Sequence, residues 1–271
     1  MKGDAMYNGA NKGGVKINEN TEEYLIETFS KYPPAVNNKI DKIAEIIEKI
    51  SSDDKIMKDE ENTVAHGEGA GVIVINNGNR SVAASAGNWS IAAGYGAWAT
   101  TGSVGFRAVS SAYGDWSAAV STGYESAALN IGDWSAAVST GYRSLAKNTG
   151  DYSTVANIGY QSKAVGGGYQ SVAVNSGFEA SAVNTGKHSV AINTGNHSEA
   201  DVLGDESIAV ATGIEGVARG KLNCWIACAE WISEEGQWRI VDFRATKVDG
   251  ELIKENSFYM LKNGEFVEFE S

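Results

Sequence analysis

The chain has 271 residues, 42% of them hydrophobic, and a net charge of −12, which suits one large domain or two to three small ones. The acidity argues against ordinary nucleic-acid binding, which needs a basic footprint, and no apolar run approaches the ~20 residues of a membrane span. The two cysteines, Cys224 and Cys228, lie four apart in an expected strand, too distant to bridge, and with no histidine nearby they make no zinc site; free thiols fit a reducing compartment.

Residues 1–20 are polar and rich in Gly and Asn and read as a loose arm. They lack the apolar core of a signal peptide, so cytoplasmic residence is the default expectation, with virion association second. Asn20 and Glu23 have capping-box spacing ahead of an expected helix from Thr21 to Tyr32, ended by Pro33 and Pro34. A second helix is expected over about Asn38 to Ile50. Ile40, Ile43, Ile47 and Ile50 continue a 4, 3, 4, 3 spacing begun at Val36. Isoleucine at both positions of such a heptad seam favours trimers or tetramers. A helix packed on the adjoining repeats explains the same spacing equally well. Residues 51–68 are charged and read as a linker, giving a first region, 1–68, of arm, helices and linker.

From Gly69 to Gly213 a glycine recurs every nine residues, seventeen in register. Three residues after the glycine stands Ser in 12 of 17 units, and five after stands Ala in 13 of 17. The unit is G-x-x-S-x-A-x-x-x. A helix would be broken by glycine at this interval, whereas a turn followed by an alternating strand fits it. A closed coil needs two strands, hence 18 residues. The sequence supports 18 separately, because the residue after glycine alternates between Asp and Tyr through Asp115, Tyr124, Asp133, Tyr142, Asp151 and Tyr160. Residues 69–220 are therefore expected to form a parallel β-solenoid, a two-sheet β-roll of mainly β class, about 40 Å long at ~4.8 Å per coil.

Counting the glycine as position 0, positions 3 and 5 are nearly always Ser or Ala. Positions 4 and 6 include Lys147, Lys163, Glu199, Asp201 and Arg219, whose burial in a thin core would be very costly. The reading places Ser and Ala inside and positions 2, 4 and 6 outside; the alternative turns the valines inward. The two outer faces then differ. One carries Val120, Val138, Val174, Ile192 and Val210 at position 6, with Trp98, Trp116, Trp134 and Tyr152 at position 2, and from Trp98 on no charge at these positions until Glu206. The other carries the five charges above and Arg107, Glu125 and Arg143 in alternating sign. The first rung, Val72 to Ile75, is apolar on both faces, and helix 38–50 is the candidate to cover it.

The column Phe106, Tyr124, Tyr142, Tyr160, Phe178 reads as a stabilising ring ladder rather than a sugar- or base-stacking platform. The tryptophan column sits on the uncharged face, where exposure calls for a partner. Asp115, Asp133 and Asp151 stack one per coil; a bridging cation is conceivable, but Asp after Gly is ordinary turn chemistry and is the preferred reading. His66, His188 and His197 make no joint site. No nucleophile–base pair, P-loop or metal cluster is recognised, so no enzyme, cofactor or metal is expected.

Residues 221–271 break the repeat and read as a small antiparallel β domain capping the far end. Strands are expected over Cys224–Trp231 and Trp238–Thr246 about Glu234-Glu235-Gly236, with hairpin signals at Asp249-Gly250 and Asn263-Gly264.

The repeat, as in Gly186-Lys187-His188-Ser189-Val190-Ala191-Ile192, resembles the β-roll heads of trimeric autotransporter adhesins. That resemblance implies a trimeric binding head with its larger apolar residues inside. The layout, with the segment from Asn256 to Glu268, also resembles prophage-encoded repeat proteins ending in a small domain of unknown function. The function expected is an oligomeric, non-catalytic structural or binding protein, a phage fibre or adhesin-like part. It would join itself through the uncharged face, with a trimer favoured, and a bacterial protein or glycan is a further candidate partner. The alternative is a phage-borne inhibitor of a host defence protein that binds through acidic or aromatic surface.

Overall fold

The computed structural model describes residues 55–269, so the helices expected at 21–32 and 38–50, with Ile40, Ile43, Ile47 and Ile50, lie outside the described residues. Within them the chain is a parallel β-solenoid of about ten coils, two strands to a coil. Sheet A is built from β1 (Lys55–Lys58), β3 (Ile73–Asn76), β5 (Ile91–Gly94), β7 (Val109–Ala112), β9 (Ala127–Asn130), β11 (Leu145–Asn148), β13 (Lys163–Gly166), β15 (Ser181–Asn184), β17 (Glu199–Val202) and β19 (Val217–Gly220). Sheet B is built from β2 (Val64–Glu68), β4 (Val82–Ala86), β6 (Thr100–Val104), β8 (Ala118–Thr122), β10 (Ala136–Thr140), β12 (Thr154–Ile158), β14 (Val172–Asn175), β16 (Val190–Asn193), β18 (Ile208–Ala211) and β20 (Trp225–Glu234). Ala137 pairs with Ala119 on one side and Val155 on the other, the 18-residue offset that the alternating turns imply. No described helix is long and apolar enough to cross a membrane.

The roll begins earlier than the first repeat glycine. Residues 55–68, read as a linker, form β1 and β2. The register carries through this coil without its glycine: Ala65 fills the interior at position 5, and Asn62 adopts the left-handed turn conformation of position 2.

The orientation of the strands is settled by the interior. Ala119, Ala128, Ala137 and Ala146 are wholly buried, as are the serines of position 3. Lys147, Lys163, Glu199, Asp201 and Arg219 point outward, so the valine-inside arrangement implied by the adhesin resemblance does not hold. A core this thin buries little apolar area per residue and relies on hydrogen bonds to join its sheets. Position 7, to which the sequence reading gave no role, supplies them. Asn76, Asn130, Asn148, Asn157, Asn175, Asn184 and Asn193 are all fully buried there. Asn130 Nδ2 donates to the carbonyls of Ser117 at 3.1 Å and Ala136 at 3.2 Å, and its Oδ1 accepts from the Gly132 N–H at 3.0 Å. Asn76, Asn157, Asn175, Asn184 and Asn193 repeat this pair of carbonyl bonds, each clipping two stacked strands of one sheet to the end of a strand in the other, while Asn148 Nδ2 donates to the Ser135 hydroxyl at 2.9 Å.

The repeat glycines are required for stacking. A Cβ on Gly132 would lie 2.0 Å from the Gly114 carbonyl oxygen one coil below. The left-handed backbone falls instead at position 2, where sixteen successive non-glycine residues from Arg80 to Glu215 hold positive φ, Trp116 at 60° among them. Each costs on the order of 1 kcal/mol, offset by the side-chain ladders that the same turns align.

After Gly220 one coil shortens to 17 residues, since Ile208 pairs with Trp225, and the repeat is lost to view while sheet B continues. β20 turns back into β21 (Gln237–Lys247), and β22 (Phe258–Lys262) with β23 (Glu265–Phe269) adds a hairpin to sheet A through Asn263-Gly264. The C-terminal residues thus form a short antiparallel β region, as expected, and its strands extend both sheets of the roll. Asp249-Gly250 is no hairpin between paired strands: it turns the chain from sheet B to sheet A, the Asp249 carboxylate accepting from the N–H groups of Glu251 and Ile253. Ile226, Cys228, Val248, Ile253, Tyr259 and Leu261 close this end of the interior. Both cysteines are free and buried, and burial pushes the Cys228 thiol up to about 12.

Candidate interaction face

The outer face of sheet B is the most distinctive surface of the roll. Because side chains alternate along a strand and the coils are in register, positions 4 and 6 become two continuous columns. Val138 stands between Val120 and Ala156, and Ile192 between Val174 and Val210. From Val82 to Val210 neither column contains a charged residue. The side chains are half-buried by their own neighbours but open to solvent, and Val104 and Ile158, at 58% and 60% exposed, edge the face on one border.

The opposite border is the aromatic column. Trp98, Trp116, Trp134 and Tyr152 are 53%, 50%, 52% and 42% exposed. Their rings stack at centroid separations of 5.2, 5.3 and 4.5 Å, within 11° of parallel. Stacking at this spacing occupies the faces of the inner rings and turns only their edges outward, so the column offers little to a sugar or base that must lie on a ring face. The face contains all nine described residues expected to bind: four at its border and Val120, Val138, Val174, Ile192 and Val210 along position 6.

Sheet A differs. Its outer positions in β3, β5 and β7, among them Ile73, Ile75, Ile91 and Val109, are buried; cover was expected at the first rung, Val72 to Ile75, but not as far along as Ile91 and Val109. Farther along it is charged. Asp201 is buried beneath Arg219, whose Nε donates to it at 3.0 Å. Lys147 is half-buried, and desolvation, followed by repulsion from Lys163, lowers its ammonium to about 8. The turns before sheet A carry the second ring column, Phe106–Tyr124–Tyr142–Tyr160–Phe178, stacked at 5.3, 5.0, 5.3 and 5.4 Å. Beside it runs a polar ladder, with Arg107 bonded to Glu125 at 2.6 Å and Arg143 to Gln161 at 3.0 Å. Both ladders bond along the roll and stiffen it.

The aspartate column is turn chemistry. Asp115 accepts from the Asp133 N–H at 3.0 Å, Asp133 from Asp151 at 2.8 Å, and Asp151 from Tyr169 at 2.7 Å. Each carboxylate secures the next turn. His188 and His197 lie on opposite turns, paired with Glu206 and Glu215 respectively, and bonds from His188 and then Lys187 hold the Glu206 carboxyl below its ordinary range. Among the described residues no three His, Cys, Asp or Glu are placed to hold a metal ion.

No protein-family model matches the chain, and no curated protein or solved structure shows significant similarity to it.

Proposed function

We propose that the chain is an oligomeric, non-catalytic structural or binding protein, with the outer face of sheet B as its joining surface. The observation that carries this is the uncharged apolar face running over eight strands, β4 to β18. At ~4.8 Å between strands and ~3.3 Å per residue the face measures about 34 by 20 Å. That area of roughly 700 Å² exceeds the apolar patch of a typical soluble monomer. The edge-on aromatic border favours a protein surface over a glycan. The phage-fibre or adhesin-like setting is supported by the resemblance of the repeat alone. Light scattering on the purified chain tests the reading: a mass that is a multiple of 28.6 kDa at micromolar concentration is expected, and a monomer would contradict it.

A further inference from the structure

The face of sheet B is not uniform along its length, and the variation selects an occupant. Toward the start of the roll each strand carries a small outward residue: Ala84 in β4, Gly102 in β6, Ala118 in β8, Ala136 in β10 and Ala156 in β12. From β14 onward both columns are β-branched, with Val172 and Val174, Val190 and Ile192, then Ile208 and Val210. The face is shallow at one end and raised at the other.

Resting on the self-association proposed above, we infer that the occupant is a second copy laid face to face with its roll axis reversed. The two-fold axis runs parallel to the strands and crosses the centre of the uncharged stretch, between β10 and β12. It sets β4 against β18, β6 against β16, β8 against β14 and β10 against β12 of the second copy. Gly102 then receives Ile192, Ala84 receives Val210 and Ala118 receives Val172, so large fills small as close packing requires. Two rolls pointing the same way would set the raised halves together and leave a wedge between the shallow ones.

The border supplies a second, independent match. The same axis places position 2 of each copy along position 2 of the other. Arg80 meets Glu206, Trp98 meets His188, Trp116 meets Gln170 and Trp134 meets Tyr152. Arg80, at the β4 end of this border, falls opposite Glu206 at the β18 end, a carboxylate that also holds His188 and Lys187 of its own chain, and the exposed indole edges meet groups that accept hydrogen bonds or stack. About 700 Å² from each copy gives roughly 1,400 Å² in total, within the range of specific, stable interfaces.

Cross-linking tests the arrangement. Val104 and Thr194 are both exposed and lie on the opposite border, five coils or about 24 Å apart within one chain. In the reversed pair Val104 of one copy adjoins Thr194 of the other. A full-length Val104→Cys/Thr194→Cys double variant, treated with a short bismaleimide, should run mainly as a covalent dimer on a denaturing gel, whereas either single variant should not. The native cysteines are buried and do not compete. In addition, Arg80→Glu should weaken association about tenfold and Glu206→Arg should restore it in the double exchange. A wild-type monomer would overturn both this arrangement and the proposed self-association. An oligomer that fails to cross-link through residues 104 and 194, the result expected of a parallel trimer, would overturn the reversed arrangement alone.

Discussion

Asn130 reaches from the end of a sheet A strand to the Ser117 carbonyl at the start of a sheet B strand, at 3.1 Å, and also binds Ala136 one coil on. The amide is wholly buried, so no water replaces its bonds when it is removed. Asn130→Ala should cost about 1–3 kcal/mol, the penalty of leaving buried carbonyls unpaired. Urea denaturation of the variant checks this, with Asn79→Ala, on an exposed turn, as the comparison expected to lose about 1 kcal/mol or less.

The coil length, the parallel pairing and the inward Ser and Ala were legible because each leaves a period-nine or period-eighteen mark. The asparagines of position 7 have the same period but do not stand out, since Asn, Ser, Gly and Ala share the position and a polar side chain is not an expected core residue. The coil at 55–68 was hidden by the loss of its glycine, and β20 by the one-residue shortening before Trp225, although Ala65 and Ile226 kept the interior pattern. The uncharged face was readable residue by residue. That its aromatic rings are stacked face to face, with only edges outward, required the left-handed turn at Trp116 and its equivalents, which no sequence rule for bulky residues anticipates.

Gly132→Ala should be severely destabilising, because the new methyl would meet backbone, the Gly114 carbonyl, that cannot move without parting two coils. Gly167→Ala meets ordinary contacts at 3.5 Å or more and should be neutral or stabilise by up to about 1 kcal/mol through lower chain entropy. Thermal melts of the two variants give the comparison.

Ala137→Leu would force a larger side chain between two sheets with no space to spare, at a cost of about 1–3 kcal/mol or more. Lys163→Leu, at an exposed outer position, should melt close to wild type. The opposite ranking in melting temperature would mean that the strands are turned over.

Lys147 has a folded-state pKa of about 8 against an ordinary 10.5, because its ammonium is half-buried beside Lys163. It binds its proton less tightly when folded, so the charge opposes folding fully below pH 8 and progressively less as pH rises to 10.5. Lys147→Met should therefore be the more stable protein at pH 7, by about 1–3 kcal/mol after allowance for solvent screening. Denaturation at several pH values should show that advantage shrinking between pH 8 and 10.5.

The joining role of sheet B is tested most directly by the mass of a Val138→Glu/Val174→Glu variant in light scattering. Both residues point outward from the uncharged face, and carboxylates there would be desolvated in an interface yet harmless on a free roll. The expected result is a 28.6 kDa monomer with the circular dichroism of the wild type. An unchanged oligomer, or one that instead dissociates on replacing Arg107 and Arg143 by alanine, would contradict it.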